Sequence, residues 1–168
     1  MKIKKCRICN SKFFFDLFTL GKLSFTGKFP KNLKDKIPKD FISLVMCKKC
    51  KLVQLDRNFN PNYLYSHDYG YRTGINSTMT KHVEYVAKEA VKISKLKKNE
   101  YVLDIASNDG TLLNFYDRKF ITVGIDPLIN KYKKYYKRIN FKVSNFFSLK
   151  ELQKKRLNFK YKIRSEER

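Results

Sequence analysis

The hydrophobic pattern divides the chain near its middle. Up to about residue 60 apolar runs are short, and Gly21, Gly27, Pro30 and Pro38 interrupt them, a pattern of turns and small strands. Phe41–Val45 and Leu52–Leu55 read as the two strands of a small hairpin. An aromatic, glycine-containing stretch, PNYLYSHDYGYRTGI, follows over residues 61–75. From about Asn76 to Lys95 the period becomes helical: Met79, Val83, Val86, Ala90 and Ile93 fall on one face, and Asn76 or Ser77 can cap the N-terminus. Beyond residue 100 strands and helices alternate. Tyr101–Ala106 and Phe120–Ile125 are apolar strands, Phe141–Val143 a short third one, with helix openings over Gly110–Tyr116 and Asn130–Lys137. A further helix over Ser148–Arg156 leads to Leu157–Ile163, the beginning of a fourth strand, and then to a charged tail, Arg164–Arg168. This order implies a parallel sheet with right-handed crossovers. The three expected regions are 1–60, 61–97 and 98–168.

Composition narrows the function classes. The chain is 42% hydrophobic and 15% aromatic, which excludes a mainly disordered protein. No apolar run approaches the roughly 18 residues of a membrane span, and MKIKKCRICN lacks the apolar core of a signal peptide. A cytoplasmic protein is therefore expected. The net charge of +23 raises nucleic acid as a partner, but the charge is dispersed: residues 1–97 carry 21 basic and 7 acidic side chains, residues 98–168 carry 17 and 8. That distribution disfavours nucleic acid.

Two stretches carry chemistry. The four cysteines occur as Cys6-x-x-Cys9 and Cys47-x-x-Cys50, with 37 residues between the pairs. Without a secretion signal such pairs point to metal before disulfide, and two of them complete a closed tetrahedral zinc site with a structural role. The segment is too small for a substantial core, so metal should stabilise it. The second stretch is Val102-Leu103-Asp104-Ile105-Ala106-Ser107-Asn108-Asp109-Gly110-Thr111-Leu112-Leu113, a strand that ends in an acid and turns through small residues into a helix. Such a turn lets backbone approach a ligand closely. Twenty-two residues after Asp104, VGIDP places Asp126 at the end of the next strand, where a carboxylate can accept from both hydroxyls of a ribose. An ordinary strand-loop-helix with two incidental acids is the alternative. The G-x-G-x-x-G of a nicotinamide site is absent.

Taken together, CRIC, LGKLSFTGKFP, CKKCKLVQL, HDYGYRTG, DIASNDGTLL and VGIDP resemble the class I methyltransferase family that bears an N-terminal four-cysteine zinc domain and C-methylates nucleotide-linked keto sugars. The resemblance runs from Cys6 to about Phe147. It implies an α/β fold: a small Cys₄ zinc-binding domain, then an incomplete Rossmann-like domain that binds S-adenosylmethionine. By position, Cys6, Cys9, Cys47 and Cys50 match the zinc ligands; Asp104, Ser107, Asn108, Asp109 and Gly110 match the donor-binding turn, and Asp126 the ribose acid. Ala106 stands where the family usually has glycine, and its methyl group should narrow the turn or hold it to φ < 0. Phe146 and Phe147 resemble an aromatic pair near the adenine, Asn145 stands where an acid is common, and Tyr69 and Tyr71 match an aromatic segment over the active site, with interdomain packing as their alternative role. The implied chemistry needs a general base, which in the family resembles a histidine beyond residue 168. His67 and His82 are poor substitutes, so the chain reads as a truncated fragment whose own turnover is not expected. The competing functions are a basic zinc-ribbon module for nucleic acid and a noncatalytic binding remnant.

Overall fold

A computed structural model describes residues 1–25, 30, 32–65 and 69–166. The chain forms two compact units, Met1–Tyr69 and Gly70–Arg168.

The first unit is a three-stranded antiparallel sheet of β1 (Phe14–Ser24), β2 (Lys39–Cys47) and β3 (Val53–Leu55), in that order. β2 and β3 contain the hairpin expected from the apolar pattern, with Val45 opposite Gln54. The 11-residue β1 breaks the alternation that marks strands in sequence. Its pairing with β2 shifts register between Asp16 and Phe18 and again between Thr19 and Lys22, and Gly21 sits at φ 78 where an L side chain would be strained. Each shift moves the next apolar residue to the other face, so no period of two survives. Among the described residues little is buried: Val45, Phe25, Cys6 and Cys47 are the apolar interior. Phe25 stacks on Tyr63 of α1 (Pro61–Leu64) and meets Phe59 edge-on, so the unit continues past residue 60.

The second unit opens with α2 (Ser77–Ser94), capped by the Asn76 side chain, which accepts from the Met79 N–H. Its buried face matches the expected one only in part, with Met79 and Ala90 half-buried. Val83 and Ala87 are buried, whereas Val86 and Ile93 are exposed. Buried positions four apart track the true helical stripe more closely than the most apolar residues do. Then β4 (Tyr101–Ile105), β5 (Ile121–Ile125), β6 (Phe141–Val143) and β7 (Tyr161–Glu166) form a wholly parallel sheet in the order β6-β5-β4-β7. Leu103, Ile105, Val123, Ile125 and Val143 pack on one face with Leu152 of α4 (Leu149–Lys154) and Leu157.

The connections are shorter than the sequence suggests. The expected helix at Gly110–Tyr116 is only a 3₁₀ turn at Leu113–Phe115, because Tyr116 returns to extended backbone. The one at Asn130–Lys137 divides into α3 (Ile129–Tyr132) and a 3₁₀ turn. Its run of Lys and Tyr without an acid places like charges three and four apart and favours no long helix. The fourth strand starts later than expected and absorbs Arg164–Glu166 of the presumed tail. Tyr161, Ile163 and Ser165 alternate inward while Lys162, Arg164 and Glu166 face solvent, so the charges mark the outer face of a strand. No described helix is long and apolar enough to cross a membrane.

Candidate functional site

The first unit gathers its four cysteines. Cys6 and Cys9 precede β1; Cys47 ends β2 and Cys50 lies in the tight turn to β3. Both pairs fold alike. The residue after each second cysteine, Asn10 and Lys51, is left-handed at φ 58 and 62, and its N–H returns to the carbonyl of Cys6 or Cys47. This aims the N–H groups of Ile8 and Cys9 at the Cys6 sulfur, and those of Lys49 and Cys50 at Cys47. The Cys9 N–H chiefly brings the Cys6 thiol down to about 6, and the Cys50 N–H lowers Cys47. Cys50 stands at about 12: the Leu52 N–H lowers it, while burial and the other sulfurs raise it.

Geometry agrees with a metal. Cys6 and Cys50 Sγ are 3.6 Å apart, Cys9 and Cys47 Sγ 3.5 Å, and all four lie within 4.8 Å of one another. A tetrahedral ion with bonds of about 2.3 Å separates its sulfurs by roughly 3.8 Å. The donor set fits zinc, with no position left for a substrate. One residue that the sequence reading passed over lies against it. Gln54 is buried, donates to the Cys6 Sγ at 3.3 Å and accepts from Arg7. The signal available was a polar residue at an inward position of a short strand.

The second unit places its turn at the carboxyl ends of β4 and β5. Asp104, Ser107, Asn108, Asp109 and Asp126 are all buried. Ala106, Asn108 and Gly110 are left-handed, at φ 59, 47 and 75. Ala106 thus takes the glycine-like conformation that its methyl was expected to exclude. Tyr136 secures the turn from beneath: its hydroxyl donates to the Asn108 carbonyl and lies 2.9 Å from Ser107 Oγ. Burial raises its pKa. Gly110 and Gly124 leave room for that ring, which a Cβ at either position would meet at 3.1 or 3.2 Å. Asp104 Oδ1 accepts from Ser165 of β7, and Asp104 together with burial pushes the neighbouring Tyr116 up to about 12, burial contributing more.

Two of the turn's side chains serve the chain itself. Asn108 accepts from the Thr73 N–H and donates to the Tyr71 carbonyl; Asp109 accepts from Arg72, the Gly74 N–H and Thr111. Arg72 lies 3.9 Å over the Tyr135 ring. Residues 71–74 are therefore strapped to the turn. Asp126 accepts from the N–H groups of Leu128 at 2.6 Å and Asn108 at 3.1 Å, and burial raises its pKa against these two donors. Each carboxylate oxygen keeps a second lone pair. Half-buried Pro127 and Phe146 and exposed Phe147 follow these strand ends. The Asn145 side chain accepts from the Phe146 N–H. Tyr69, in the first unit, meets Tyr65 edge-on at 5.5 Å; Tyr71, in the second, is 45% exposed. His82 is exposed on α2, and His67 lies outside the described residues.

Residues 6–65 match the family model Methyltransf_13, whose description reads "Putative zinc binding domain". The first unit is similar to the zinc-binding domain of a methyltransferase family. The match spans both cysteine pairs and ends within the first unit. No curated protein matches the chain.

Proposed function

We propose that the chain carries the zinc-bearing, S-adenosylmethionine-binding elements of a methyltransferase acting on a carbon of a nucleotide-linked keto sugar. The observation that supports it best is the Asp126 carboxylate, held at the end of β5 against the left-handed turn at Ala106–Gly110. It stands in a chain whose first 65 residues include a stretch similar to a methyltransferase-family zinc domain.

In this reading zinc, held by Cys6, Cys9, Cys47 and Cys50, has a structural role. Asp126 accepts the ribose hydroxyls through its remaining lone pairs. The backbone of Asp104–Gly110 passes close to the donor, Phe147 offers its ring to the adenine, and Tyr71 covers the substrate side. Asn108 and Asp109 act by holding the 71–74 strap to the turn. The donor supplies an electrophilic methyl group, and the sugar carbon must lose a proton to attack it, which requires a general base. The sugar itself rests on the family resemblance alone.

Calorimetry with S-adenosylmethionine and its demethylated product tests the reading. Asp126→Ala should weaken binding by roughly 1.5–3 kcal/mol, the range for hydrogen bonds to a charged group. Equal affinity of both proteins would remove Asp126 from the site. Tight NADH binding without donor binding would overturn the class.

A further inference from the structure

The two cysteine pairs are far apart in sequence. Hydrogen bonds from a single amide span that gap. Gln54 is the middle residue of β3, 7% exposed, and lies opposite buried Val45. Its Oε1 accepts from the Arg7 backbone N–H at 3.3 Å and from Arg7 Nη1 at 3.0 Å. Its Nε2 donates to Cys6 Sγ at 3.3 Å. Arg7 lies between the first two cysteines and continues onto the strand that follows the second two. It donates to the carbonyls of Leu55 and Arg57 and to Asn58 Oδ1.

The amide orientation follows from chemistry. A guanidinium only donates, so the oxygen of Gln54 must face Arg7 and the NH₂ must face the sulfur. We infer that Gln54 is a positioning residue of the metal centre, whose amide N–H orients the Cys6 thiolate and whose oxygen couples the two cysteine pairs through Arg7. A donor at the sulfur stabilises the thiolate and fixes its lone pairs toward the ion, and such outer partners commonly govern affinity 10- to 100-fold. This inference does not rest on the methyltransferase reading.

The test separates the two halves of the amide. Gln54→Glu keeps an acceptor for Arg7 but removes the N–H and turns an oxygen toward the sulfur. Gln54→Met removes both. Zinc affinity is measured on the full chain by competition with a chromophoric chelator. The thiolate-to-cobalt charge-transfer bands of the cobalt(II)-loaded protein report the electronic state of the sulfurs. Expected results are a roughly 10- to 100-fold loss of zinc affinity in both variants, with shifted cobalt bands. Arg7→Ala should lower affinity and leave the bands in place. If Gln54→Glu folds only with metal, zinc-saturated protein supplies the circular dichroism reference, and the cobalt bands still decide. Unchanged affinity would overturn the inference. So would lost affinity with unmoved bands, since Gln54 would then act through the fold alone.

Discussion

Ala106 carries a conformation that glycine adopts without strain. At φ 59 its Cβ is crowded by the following carbonyl, a cost of about 1–2 kcal/mol for an L residue. Ala106→Gly should therefore stabilise the second unit, by about 0.5–1 kcal/mol after the entropy glycine loses on folding, read as a higher urea midpoint. Gly110→Ala should do the reverse. Gly110 sits at φ 75, and a Cβ would stand 2.8 Å from Ile139 Cδ1 and 3.1 Å from the Tyr136 ring. A loss of about 1–3 kcal/mol is expected, with the Tyr136–Ser107 contact displaced. Glycine-like conformations at alternate positions explain how a run of small polar residues becomes a buried turn.

Among the elements, α2 offers the sharpest test of which side chains face the interior. Asn76 caps it, so Asn76→Ala should cost about 1 kcal/mol. Ile93 is 78% exposed and Ala87 only 1%. Ile93→Lys should thus fall within about 0.5 kcal/mol of the parent, whereas Ala87→Leu should cost about 1–3 kcal/mol through overpacking. Urea unfolding followed on second-unit signals distinguishes these outcomes, and a large loss in Ile93→Lys would contradict the assigned face.

At the scale of the whole molecule, the two units should respond oppositely to acid. In the first, the Phe41 N–H and then Arg57 lower Asp40, and a hydrogen bond from Arg57 lowers Asp56, each against burial and each below the ordinary value of 3.8. Their stabilisation is present above that value and is lost as pH falls through the lower folded one. Protons also compete with zinc for the thiolates. In the second unit burial raises Asp126, so its ionised form costs stability above its ordinary value, and acid relieves that cost. Amide exchange followed from about pH 6 to pH 3 should show Val45 losing protection before Val123. Cys47→Ser should similarly open the first unit while the parallel sheet of the second persists, because only the first depends on a complete ligand set.

Local chemistry made part of this protein legible in its sequence. Paired cysteines at knuckle spacing, the strand-turn-strand around Asp104 and Asp126, the β-α-β order and the Asn76 cap depend on residues close together in the chain, where spacing alone sets geometry. Tertiary structure decided the rest. The length of β1 depends on register shifts against β2; the face of α2 depends on what it packs against; and Arg164–Glu166 becomes a strand only because β4 offers an open edge. The same holds for Gln54 and Arg7 at the metal centre, and for Asn108 and Asp109, which clasp residues 71–74. A side chain's hydrogen-bonding partner more than thirty residues away leaves no periodic trace in sequence, because folding rather than spacing brings the two groups together.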